Sequence, residues 1–211
     1  MNTEQLIERL QREASAAPAP RVADWWLVTL CAVSAAGLAL LTTLGVRPDF
    51  ERAIQTMRFD YKFVITAALA ACALFAVREL ARPTGRRRSL AVILAPLMLL
   101  ACAVLVEMAV TPAGLWAERA IGRNAAACMT FIPLVGIVPL ALFLHASRER
   151  APAYPMLQGG LCGLAAASVA AFFYAAHCTN DSPLFVALWY SLASGILVAA
   201  GALIGRRLLR W

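Results

Sequence analysis

Charge is scarce in this 211-residue chain: only 15% of its residues are charged, where a water-soluble domain carries roughly a quarter. Histidine occurs twice, and the six cysteines form no CxxC pair. That spacing excludes thioredoxin-like and zinc-ribbon motifs. No internal repeat is visible, and no constellation of residues reads as an enzyme active site. The chain also lacks a basic opening segment. Glu4, Glu8, Arg9, Arg12 and Glu13 come first, and the apolar run that follows is too long for a signal peptide, so it is expected to remain as a span.

What is abundant is apolar sequence. Hydrophobic residues make up 62% of the chain and mean hydropathy is +0.72. They fall into six runs: Trp25–Val46, Phe63–Leu80, Ser89–Val110, Ala125–Ala146, Gly159–Ala176 and Leu184–Gly205. Each is about long enough to cross a bilayer as a helix, the one open-ended structure that satisfies its backbone in hydrocarbon. The expected fold is therefore all-α: a polytopic membrane protein with a six-helix transmembrane domain over residues 25–211 and a tail over residues 1–24. Pro96, Pro133 and Pro139 lie inside runs and are expected to kink them. Gly159, Gly160, Gly163, Gly201 and Gly205 allow close helix packing. No ionisable residue falls deep in a run, which counts against an ion-driven transporter.

The formal net charge is +7, carried almost wholly by arginine in short loops without interleaved aromatics. Lipid headgroups and topology explain that pattern better than direct nucleic-acid binding. With the N-terminus inside, thirteen of the nineteen basic residues lie in inner segments, Arg86, Arg87 and Arg88 among them. The positive-inside rule thus predicts both termini in the cytoplasm. In the first outer loop, Asp49 can cap a surface helix presenting Phe50, Ile54, Met57 and Tyr61. In the second, Thr111 can cap a helix with Pro112 at its first position, and Ser182-Pro183 can launch the last span in the same way.

The depth of each cysteine is informative. Cys31, Cys72, Cys102 and Cys162 fall within runs and read as small hydrophobes. Cys128 and Cys178 fall at the outer ends of spans four and five. His177 and Asp181 flank Cys178, Met129 adjoins Cys128, and Glu107 reaches the same face. Three readings stay open: a structural disulfide, a reversible disulfide in which His177 supports a thiolate, or a site for copper, zinc or cadmium built from Cys128, Cys178 and His177. At the other face, Asn2 and Gln5 can form a capping box that starts a short helix with Leu6, Ile7 and Leu10 on one side. Such a helix needs a partner or a membrane surface to be stable.

Several stretches resemble the NrsF family of bacterial membrane anti-sigma factors. They are Arg58–Phe63, Cys128 with Ile132-Pro133 and Pro139, Pro152 and Pro155, Tyr174–Cys178 with Asp181, Trp189-Tyr190, and the ending Gly205–Trp211. The resemblance implies a six-span negative regulator that holds an extracytoplasmic-function sigma factor at the inner membrane. Release would follow heavy-metal or oxidative stress sensed at Cys128 and Cys178, with the tail helix at Leu6, Ile7 and Leu10 as the sigma-factor contact. The alternatives from other classes are a small membrane transporter and a membrane thiol-redox protein.

Overall fold

The six apolar runs satisfy their backbone polar groups as helices, as hydrocarbon requires. The computed structural model describes residues 2–16, 24–82, 85 and 87–210, with backbone alone over 10–16. The Leu10 side chain, Arg86 and Trp211 lie outside the described residues. No strand occurs among the described residues. The tail forms α1 (Thr3–Ala16), with the Asn2 amide donating to Gln5 Oε1 at 3.3 Å, one half of the expected capping box. Six helices long and apolar enough to cross a membrane follow: α2 (Trp25–Thr43), α3 (Met57–Leu80), α4 (Arg87–Val110), α5 (Ala125–Arg148), α6 (Pro155–Tyr174) and α7 (Pro183–Leu208). Six crossings return the chain to the side from which it started, so one end of the bundle faces the tail and the other is distal to it.

The ends of these helices follow local chemistry. Asp24 caps α2 by accepting from the Trp26 amide at 2.9 Å, which satisfies one of the free donors at a helix start. Helix α4 opens in 3-10 geometry over Arg87–Ile93, and α7 carries a π-helical turn over Val186–Tyr190. Ser182 and Pro183 stand at the start of α7 as expected, but the Ser182 hydroxyl makes no cap bond, and two other expected caps also fail. Asp49 makes no side-chain cap bond for the single turn Phe50–Ala53, because Arg47 takes both of its oxygens. Thr111 closes α4 instead of opening a helix, and its hydroxyl accepts from Arg119 at 3.0 Å. The expected surface helix is likewise short, since its second half belongs to α3.

Helix α6 is the axis of the bundle. Thirteen of its twenty residues are buried, and it packs against α2, α3, α5 and α7. Lipid tails are as apolar as leucine, so contact between helices comes from shape fit, which small residues permit. An added Cβ on Gly159 would sit 2.1 Å from the Gly201 carbonyl oxygen, and one on Gly163 would sit 2.2 Å from that of Leu197. The glycines thus form a seam in which α6 and α7 touch backbone to backbone. By contrast α4 is peripheral, burying only Pro96 and Glu107 over Leu94–Val110. Large apolar side chains such as Leu30, Leu38, Phe75, Met98, Leu105, Ile137 and Leu203 face outward. A belt of that kind is an aggregation hazard in water and an ordinary lipid-facing surface in a bilayer.

Candidate functional site

Of the six cysteines, all free thiols, Cys31 and Cys102 point outward, Cys72 is half-buried, and Cys162 is buried against Ser147. Cys128 and Cys178 are fully buried and meet at the distal end of the bundle. Cys128 lies one turn into α5, and Cys178 lies in the turn between α6 and α7. Their side chains belong to one buried cluster with Tyr174 and Tyr190. Cys128 Sγ also lies 3.6 Å from the Tyr174 hydroxyl, Cys178 Sγ lies 3.8 Å from the Asn180 carbonyl oxygen, and the Tyr190 hydroxyl faces Cys178.

Two cations that the sequence pattern did not single out hold this turn. Lys62, the only lysine in the chain, is fully buried near the start of α3. Its ammonium donates to the Cys178 carbonyl at 2.9 Å and, at 3.4 Å, to those of Ala175 and Asn180. It also pairs with Asp181. Arg47 follows α2 and is 7% exposed. Its Nε and Nη2 each bond Asp49 at 2.7 Å. Its Nη1 reaches both Asp181 oxygens and the Cys178 carbonyl at 3.0, 3.1 and 3.3 Å. Both cations lie over the Phe59 ring, at 5.6 Å for Arg47 and 5.3 Å for Lys62. The Arg47 amide completes the grip by donating to the Ala176 carbonyl at 3.1 Å.

These surroundings bias the chemistry. A hydrogen bond from Cys128, aided by the Lys62 charge, pushes the Cys178 thiol down to about 6, while burial opposes the shift. Thiolate is the nucleophilic form of cysteine. The Arg47 guanidinium is held above its ordinary value, chiefly by Asp49 and also by Asp181. Asp49 is lowered in turn by Arg47.

The remaining expected site residues are distributed unevenly. Asp181 belongs to the site as the shared carboxylate of Lys62 and Arg47. Met129 packs against the same buried cluster as the two cysteines. His177 turns its Nδ1 to the Gly45 carbonyl at 3.2 Å, with its ring 5.9 Å from that of Tyr174. Among the described residues, no three of His, Cys, Asp and Glu are grouped to hold a metal ion. The donor set here therefore does not fit a resident zinc with three or four protein ligands. Glu107 serves a different junction: it is 3% exposed and pairs with Arg119 and, at 2.9 Å, with Arg58. At the tail, Leu6 and Ile7 are 41% and 51% exposed.

A family model described as negative regulator of sigma F matches residues 10–211. The chain belongs to the NrsF family. An anti-sigma-F factor NrsF of Caulobacter vibrioides is 36% identical over the full length of both chains. A protein of Azospira oryzae named "Probable anti-sigma-F factor NrsF" is 32% identical, again over the whole of each. No solved structure matches. NrsF membership makes this a regulatory rather than a catalytic family. The six long helices of this chain are apolar enough to cross a membrane.

Proposed function

We infer that the chain is an anti-sigma factor of the bacterial inner membrane, with both termini in the cytoplasm. It holds an extracytoplasmic-function sigma factor through α1 at Leu6, Ile7 and Leu10, and releases it when Cys128 and Cys178 are oxidised. The observation that carries this reading is that two buried free thiols share one cluster, Cys128 from α5 and Cys178 from a turn gripped from α2 and α3. Arg47 follows the helix that leads back to the tail, so a shift of the turn has a direct route across the bilayer.

The chemistry needs an oxidant such as a peroxide. The Cys178 thiolate attacks one peroxide oxygen, the O–O bond breaks, the other oxygen leaves as hydroxide and is protonated to water, and the sulfur becomes a sulfenic acid. The Cys128 thiol then attacks that sulfur. The S–S bond forms, the S–O bond breaks, and water leaves with the Cys128 proton. Two thiols have lost two electrons and the peroxide has gained them. Changing a 1:99 population to 99:1 requires about 5.5 kcal/mol of differential stabilisation. A disulfide supplies typically 2–4 kcal/mol, and the rest would come from rearranging the Lys62–Asp181–Arg47 clamp. A thiol-reactive cation such as cadmium would meet the same two sulfurs, but two protein donors alone leave its coordination to be completed from elsewhere.

Sigma-factor capture from detergent-solubilised membranes tests the reading. The wild type should retain the sigma factor and lose it on peroxide treatment. Cys128→Ser/Cys178→Ser should retain it throughout, and charged substitutions at Leu6, Ile7 and Leu10 should never capture it. Peroxide-triggered release from the double serine variant would sink the sensing role, and failure of the intact protein to capture any sigma factor would sink the anti-sigma reading. A small transporter or a thiol-redox protein would keep its activity on deletion of residues 1–22; an anti-sigma factor would lose its own.

A further inference from the structure

Beside the glycine seam, at the tail end of the bundle, α6 and α7 leave a cavity of about 580 Å³. Its floor is made by Gly160, Leu161 and Leu164 of α6 and by Val198 and Ala202 of α7. The reason for the cavity is the seam itself. Gly159, Gly163, Gly201 and Gly205 draw the two backbones into contact, while the neighbouring Gly160 and Ala202 are too small to fill the flank. The slot is open at its side, where Met156 is 55% exposed.

Its mouth has a different character. The Arg87 guanidinium sits 4.1 Å from the centre of the Tyr154 ring, and both line the cavity. Val198 and Ala202 are spaced i, i+4, and the next residue on that face of α7 is Arg206, which is exposed. Among the described residues, no acidic side chain lines the slot. An apolar groove between transmembrane helices with arginines and an interfacial aromatic at its end matches an amphiphile with an anionic head. A second copy of the chain would bring the same cationic mouth and a net charge of +7 to the contact, which disfavours self-association there.

We propose that this groove is a binding site for an anionic phospholipid, with one acyl chain between α6 and α7 and the phosphate at Arg87 and Arg206. The site lies at the opposite end of the bundle from the cysteine pair.

Native mass spectrometry of the purified protein in neutral detergent tests it, using phosphatidylglycerol and phosphatidylethanolamine of identical acyl chains. The wild type should retain phosphatidylglycerol in preference. Arg87→Gln, at an exposed position, should weaken phosphatidylglycerol binding by about fivefold, the worth of one guanidinium at an anionic surface, and weaken phosphatidylethanolamine less, because its ammonium offsets the phosphate charge. Ala202→Phe, which fills the slot, should lose both lipids while still melting as a folded protein. Equal retention of the two lipids by the wild type would overturn the proposal. So would an undiminished preference in Arg87→Gln, or dimers that Ala202→Phe abolishes.

Discussion

Lys62→Met removes the buried ammonium and keeps most of the side-chain volume. The substitution strips a 2.9 Å charged hydrogen bond from the Cys178 carbonyl, two longer ones from Ala175 and Asn180, and an ion pair from Asp181. The two 3.4 Å contacts are weak, since hydrogen bonds fade beyond about 3.2 Å. The loss therefore rests on the Cys178 bond and the Asp181 pair. Breaking a buried pair costs about 3–5 kcal/mol when the other charge is stranded. Here Asp181 is 21% exposed and keeps Arg47, which reduces the cost to about 2–4 kcal/mol. At roughly 2–4 °C per kcal/mol for a chain of this size, thermal unfolding in detergent should fall by about 4–16 °C. The same variant should slow disulfide formation between Cys128 and Cys178 under peroxide, read by mass spectrometry of alkylated peptides. A melting temperature and a disulfide yield equal to those of the wild type would refute the clamp as the element holding the turn.

Alkylation of Cys178 by a small thiol reagent, followed against pH, should rise through about pH 6 and flatten above it, where an ordinary thiol keeps rising towards 9. The linkage has the matching sign: a depressed folded-state value contributes stability that is lost as pH falls through it. A midpoint near 9 would contradict the assigned environment. Gly163→Ala should force α6 from α7, because its Cβ meets the Leu197 carbonyl oxygen at 2.2 Å, whereas Gly195→Ala meets nothing within 4 Å. The first should lower the melting temperature or abolish folded protein in size-exclusion chromatography. The second should be neutral or raise it slightly, by about 0.5–1 kcal/mol in stability.

The spans were legible because hydrophobic length is a local property, and all six runs are helices. Their ends were less so. The second span was expected from Phe63, yet α3 starts at Met57 and takes in Arg58, Asp60 and Lys62. Charge along the chain reads as loop, and nothing adjacent to Lys62 shows that its partners are carbonyls 113 to 118 residues away. For the same reason the burial of Lys62 and Glu107 near the ends of spans was not legible. The available signal was the lone lysine among eighteen arginines, immediately before an uninterrupted apolar stretch. The meeting of Cys128 and Cys178 followed from counting crossings. The direction of the His177 ring did not, because it depends on the Gly45 carbonyl, a contact that only tertiary packing creates.

The π-helical turn at Val186–Tyr190 lets one helix obey two masters. Towards the distal end, α7 must aim Tyr190 at the cysteines and Trp189 at the Ala120 carbonyl, which it reaches at 2.9 Å. Towards the tail it must lay Gly201 and Gly205 against Gly159. Each residue of a regular α-helix advances about 100°, so the extra residue in the wide turn offsets one half of α7 from the other by that angle. Deleting a single residue there would relax the turn into ordinary helix. The glycine half, locked backbone to backbone, would stay in place, and the distal half would rotate, carrying Tyr190 off the thiols. A one-residue length change near the distal end of a membrane helix would thus act as a phase error between the cysteine site and the glycine seam, with the hydrophobic length of the span almost unaltered.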